Sequence, residues 1–273
     1  MAQNPDVSVP LYDTIDRQHE HLPASSRRSL VKGTAAAIGG LGLFGMMTGA
    51  ADAQSTSGDN SPESIAAVAA TAEVLATIVD TVGPEKLGDQ LDPVTRRNTQ
   101  AAAQQEKNHY ELLTSSTVGG TAVTKTIYVP DEVFASKENL LKTLVVGDQI
   151  FINAYLIATT VFARQGDLMG SRFARDTAEI MATEAVHRAL ALQSLGELGN
   201  DRVYAKFTQK EEVPGILTTN FKGFQNVTNA VGLLEAAGFG FGKPGSKPGQ
   251  AYEYDAVSAR TPTVPGVNTI AVA

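Results

Sequence analysis

Between residues 62 and 199 apolar and polar positions recur with the period of a helix in four long segments. In the first, 62–82, Ile65, Val68, Ala72, Leu75 and Val79 form one stripe. Asn60 or Ser61 stands as its cap, and Pro62 occupies the first turn. The spacing predicts that this helix stops before Gly83-Pro84, because proline lacks the N–H that a helix interior needs. The second segment, 93–113, runs into the turn "TSSTVGGT". The third, 137–164, and the fourth, 168–199, are separated only by "QGD" at 165–167. Between the second and third lies "TKTIYVPDEVFASKEN", whose β-branched residues and Pro130 read as an extended crossover.

Short links make the first and second helices antiparallel neighbours, and likewise the third and fourth. Two hairpins joined by a long crossover between helices 2 and 3 describe an all-α four-helix bundle. Beyond Gly199 the pattern weakens to one short helix near 225–237. After it, "GFGFGKPGSKPGQ" and a tail rich in Pro, Val and Thr read as loop and extended chain. The expected division is a bundle over 54–200 and an irregular C-terminal extension over 201–273. No repeat and no second domain stands out.

Residues 1–53 have a different character. Arg27, Arg28 and Lys32 precede an apolar stretch from Ala35 to Met47, too short and too rich in glycine for a membrane span, and Ala51-Asp52-Ala53 is a small-x-small cleavage pattern. Ser26-Arg27-Arg28-Ser29-Leu30-Val31-Lys32 resembles a twin-arginine export motif. That resemblance implies a mature chain starting near Gln54, folded before export, often around a cofactor, and delivered to the periplasm or cell envelope with no stable membrane span after cleavage. A protein that folds first can select its metal away from copper and zinc.

Composition narrows the chemistry. With no cysteine, the chain has no disulfide and no thiolate ligand, so any metal site is built from oxygen and nitrogen. Removing residues 1–53 takes four of the 22 basic and five of the 29 acidic residues, which leaves a net charge of −6. Such a surface repels nucleic acid, and no basic stripe reverses it.

Of four histidines, His19 and His21 fall in the leader; His109 and His187 remain. Each follows a glutamate by three residues, as Glu106-Lys107-Asn108-His109 and Glu184-Ala185-Val186-His187. On a helix that spacing puts both side chains on one face, able to grip one cation. Two such coincidences arise by chance in about one chain of 250 at this glutamate content. A dinuclear carboxylate site also needs an acid from each of the other two helices. Glu73, amid Ala66, Ala69, Ala70, Ala76 and Thr77, fills that place on the first helix; Glu63 suits the helix dipole in the first turn. On the third helix the mid-helix acid is Asp148, in "VVGDQIFINAYL", where an unpaired charge would be costly. The alternatives are buried histidines held by i−3 carboxylates, and an Asp148 met by backbone or by Gln149.

The order Glu73, Glu106 and His109, Asp148, Glu184 and His187 resembles the ligand order of the ferritin-like superfamily. More narrowly, the chain is similar to exported ferritin-like domain proteins related to desiccation-associated families, over about residues 62–198. Asp148, ahead of Ala154-Tyr155, departs from the glutamate usual in that pattern. The resemblance implies two iron or manganese ions, iron favoured, with a small-molecule oxidant or metal ions as partners and a homo-oligomer admitted. Ferrous oxidation or peroxide removal is the activity it implies; the alternative is a structural or stress-protective envelope protein with a vestigial or purely stabilising site. Tyr155 either bonds near the site or is a core tyrosine with a satisfied hydroxyl.

Other motifs carry less. "AGFGFGKPG" imitates a phosphate loop but has Ala237 at the first glycine and Pro244 at the Ser/Thr position. Asn226-Val227-Thr228 is a glycosylation pattern that has no meaning for a bacterial host.

Overall fold

The computed structural model describes residues 60–201, 223–224 and 226–267, so the leader, 1–53, lies outside the described residues. Four long helices form the bundle: α1 (Pro62–Leu87), α2 (Pro93–Leu113), α3 (Lys137–Ala163) and α4 (Leu168–Leu195). Each begins at a short polar residue that accepts a first-turn N–H: Ser61 from Ser64, Asp92 from Thr95, Ser136 from Asn139 and Asp167 from Gly170. Two of the four caps are followed by proline at the first helical position, where the missing N–H costs nothing. α1 packs along α2 and α3 along α4, as the short links require.

α1 does not stop before Gly83-Pro84. It runs on to Leu87 and ends at Gly88, whose positive φ of 51° turns the chain out of the helix. Pro84 leaves one helical hydrogen bond unmade, at the carbonyl of Asp80, and packing holds the helix through the gap. Gly83 shows why: a Cβ there would lie 2.7 Å from Leu140 Cδ2, so the glycine lets α1 and α3 meet closely. At the other end, α4 stops at Leu195 rather than running to Gly199. Gly196, with φ 84°, is left-handed, and the N–H of Glu197 returns to Leu192 O at 2.9 Å.

From Glu73 to Pro84 every residue of α1 is buried. The helix is covered by α2, α3 and the pieces that follow, with Val74, Ile78 and Val82 against Leu140, Val146 and Ile150 in the main core. Burial of such side chains contributes roughly 1.5–3 kcal/mol each. The same burial makes any polar group on this stretch expensive unless something answers it.

The crossover and the extension are more ordered than their composition predicts. Strand β1 (Thr126–Pro130) is the central strand of a three-stranded antiparallel sheet, flanked by β2 (Gly240–Phe241) and β3 (Gly249–Glu253). Ile127 pairs with Phe241 on one side and Tyr252 on the other. A 3-10 turn at Asp131–Phe134 leads into α3, and two short helices, α5 (Thr228–Ala236) and α6 (Tyr254–Ser258), bracket the added strands. α6 lies on α1, and Val264 N donates to Gln104 Oε1 at 2.6 Å, so the extension packs on its own bundle. Just ahead of α5, buried Asn226 accepts from Thr228 N and Oγ1 through its side chain, which makes this motif a turn.

Candidate metal centre

The bundle axis carries a cluster built from three helices. Glu73 on α1, Glu106 and His109 on α2, and Glu184 on α4 each bring one ligand atom within 4.8 Å of all the others. His109 Nδ1 sits among three carboxylates: 3.2 Å from Glu106 Oε2, 3.5 Å from Glu73 Oε2 and 3.6 Å from Glu184 Oε1. The i, i+3 spacing on α2 places Glu106 and His109 side by side, and the mid-helix position of Glu73 sets it opposite them. Glu73 and Glu184 are fully buried.

His187, one turn beyond Glu184 on α4, meets the same group from its other side. Its Nδ1 is 2.8 Å from Glu106 Oε1 and 3.8 Å from Glu184 Oε2, while Nε2 lies 2.9 Å from Gln105 Oε1. Both histidines therefore turn Nδ1 towards the carboxylates, and Gln105 fixes the ring orientation of one of them. Asp148 is buried on α3 and acts electrostatically on Glu184, His187 and Glu106, but it stands outside the four groups that converge. Tyr155, two turns further along α3, donates its hydroxyl to Glu73 Oε1. Its hydroxyl is satisfied by a member of the cluster, so both readings of this residue hold at once.

The groups shift one another strongly. Burial, and then the charge of Glu106, raise Glu73 well above the carboxylate range. The same two causes push Glu184 up to about 7. Burial also raises Glu106, but His187 and the bonds from both histidines outweigh it and hold this acid low. For His109 burial acts downward, and Glu73 and Glu106 reverse it to about 10. His187 is likewise raised, by Glu106 against its own burial. The cluster concentrates negative charge in a dry interior and draws positive charge to itself.

Hydrogen bonds do not use up this donor set. Glu73 Oε2, Glu106 Oε1 and both oxygens of Glu184 are buried and face histidine nitrogens at 2.8–3.8 Å, with no other hydrogen-bond donor beside them among the described residues. Carboxylate oxygens at this depth, met by histidine alone and converging on one point, fit a shared cation. Oxygen-rich ligands with imidazole and no sulfur suit iron or manganese.

A model of the ferritin-like domain matches residues 49–197. The chain belongs to the ferritin-like domain family. Four of the six residues marked by the sequence converge in this domain, and a fifth, His187, touches them. No curated protein and no solved structure matches the chain.

Two residues of this ferritin-like centre go unmarked by the sequence. Gln105 adjoins Glu106 and carries no pattern of its own. Asp80 is buried on α1 two turns after Glu73 and acts on the same groups: burial raises it, as do the charges of Glu106 and Glu184. Its signal was an acid in the apolar run "LATIVDTVG", seven residues from Glu73.

Proposed function

We propose that this ferritin-like protein holds two transition-metal ions, iron in preference to manganese, and uses them to oxidise ferrous iron or remove peroxide in the cell envelope. The observation that carries the reading is the convergence of Glu73, Glu106, His109 and Glu184, three buried carboxylates whose only ion pairs among the described residues are with histidine. These four would hold one ion. Glu106 and Glu184 reach both sides of the cluster, so they would share a second ion with Asp148 and His187. The bound pair would supply one-electron chemistry, with coordination positions left over for water or oxidant.

The chain's own groups would do the rest. Glu73 is oriented by Tyr155, His187 by Gln105, and the apolar wall of α1 and α3 keeps bulk water from the centre. The overall reaction balances simply: two ferrous ions give two electrons, which with two protons reduce one peroxide to two waters.

Export rests on Arg27 and Arg28. Changing both to Lys should trap the precursor in the cytoplasm; arrival in the envelope regardless would remove the twin-arginine reading. The activity is tested on protein exported by its own leader. Elemental analysis should find iron or manganese, and stopped-flow absorbance should show ferrous oxidation faster than in buffer. A fully loaded sample inert to oxygen, peroxide and ferrous iron would leave the stabilising role instead.

A further inference from the structure

The polar stripe of α1 continues past the cluster. Glu73, Thr77 and Asp80 stand at i, i+4 and i+7, on one helical face, so Asp80 lies about 10 Å along the axis from Glu73. All three are buried, and each keeps an oxygen without a hydrogen-bond partner: Glu73 Oε2, Thr77 Oγ1 and Asp80 Oδ1. Across the bundle on α3, Asp148 is 5% exposed and its Oδ2 is likewise unpartnered. Among the described residues neither aspartate forms an ion pair with a lysine or arginine.

Both aspartates and His187 line one small cavity, with room for about one water molecule. These three side chains are buried, and the same lining includes Asn98 and Ser194, which are partly exposed. Charge makes the same point. Beside Glu73, Glu106, Asp148 and Glu184, Asp80 is a fifth buried carboxylate, and none of the five pairs with a lysine or arginine among the described residues. A buried acid in that position is costly unless a cation or a proton meets it. Two carboxylates with unpartnered oxygens, beside an imidazole whose Nδ1 faces Glu106 and Glu184, are a donor set for a hard or borderline divalent cation.

We propose that Asp80, Asp148 and His187 form a divalent-cation site in this cavity, reached from solvent past Asn98 and Ser194. It rests on the two-ion reading above and specifies it: the second ion sits on this side, and Asp80 is a ligand in addition to the single acid that each of α1 and α3 was expected to give. A second aspartate here compensates for the short arm of Asp148, since two aspartates from facing helices can reach an ion that one glutamate would otherwise reach alone.

Cobalt(II) serves as the probe. The full chain is titrated with Co2+ and bound metal is counted after gel filtration, for the unmodified protein, Asp80→Asn and Glu73→Gln. Asparagine keeps the shape and removes the charge, so Asp80→Asn without added metal should melt no lower than the unmodified protein. Expected are two ions in the unmodified protein, one retained by Asp80→Asn with the other weakened at least about tenfold, and the opposite ion lost in Glu73→Gln. An Asp80→Asn protein that binds two ions as tightly as the original overturns the site and leaves the two-ion reading intact. An unmodified protein that binds no Co2+ overturns the two-ion reading itself. Should Asp80→Asn fail to fold, Asp80→Ser, smaller and uncharged, gives the same test with the same outcomes.

Discussion

Tyr155 on α3 donates its hydroxyl to Glu73 Oε1 on α1, and so ties the two most apolar helices of the bundle together through a carboxylate of the metal cluster. Tyr155 is itself deeply buried, and burial followed by the charge of Glu73 raises its phenol far above the ordinary range, so it remains a donor at every working pH. Tyr155→Phe takes away the hydrogen bond to that oxygen while keeping the ring. In protein stripped of metal, urea unfolding should show a loss of about 1–3 kcal/mol, the cost of orphaning a buried acceptor. Metal-loaded protein should lose less, because a cation then meets the carboxylate. Equal losses in both would place the bond outside the metal site's influence.

Acid should release the start of α2 from α3. Asp92 accepts from Thr95 N and Thr95 Oγ1 and pairs with Lys137 at 2.8 Å. The Lys137 bond is the main cause that holds its carboxyl far below the usual aspartate range. A carboxyl depressed in the fold contributes stability above its unfolded value near 3.9, and that contribution fades as pH falls towards the folded value. Below about pH 4 the melting temperature of the native chain should therefore approach that of Asp92→Asn, and at pH 7 the native chain should melt higher. The pair is solvent-exposed, so added salt should narrow the pH 7 difference.

The four bundle helices are legible because capping, period and short links all agree, and α2 has the bounds that its pattern predicts. α1 runs further than predicted because the Gly83-Leu140 contact is tertiary, and no local rule reveals it. That boundary also concealed chemistry. With a helix expected to end at Val82, Asp80 reads as a last-turn residue, and with Glu73 filling the place of the helix 1 acid nothing asks for another. Glu106 with His109 and Glu184 with His187 stand out because i, i+3 spacing is local. The sheet does not, since β1 pairs with strands more than a hundred residues away in sequence and β2 has only two residues.

Glycines of the extension are packing residues rather than loop filler. A Cβ on Gly240 would lie 2.1 Å from Lys243 O, a backbone atom that cannot swing away. Gly240→Ala should destabilise the protein by about 1–3 kcal/mol, the usual cost of overpacking. Gly232 on α5 has nothing within 4 Å, and Gly232→Ala should be neutral or stabilising by up to about 1 kcal/mol through helix propensity. Urea midpoints moving in opposite directions for the two variants would support the packed extension; a Gly240→Ala protein as stable as the parent would remove it.

The two histidines should fail together. His109 and His187 approach Glu106 from opposite sides, at 3.2 Å and 2.8 Å, and each also faces Glu184. Removing either one strips a ligand and also disturbs the carboxylates that the other uses, so their effects on metal binding are coupled rather than independent. His109→Ala and His187→Ala should each lower bound iron or manganese severely, and the double variant should add little to the larger single loss. Glu106 is held ionised mainly by His187 with help from His109, so without metal each single variant should also be less stable, as expected when a buried charge loses its partner. Elemental analysis of the three variants, beside their melting temperatures, separates the outcomes. Losses that simply add would mean two independent sites. Full occupancy in the double variant would mean that the metal, if any, is held elsewhere.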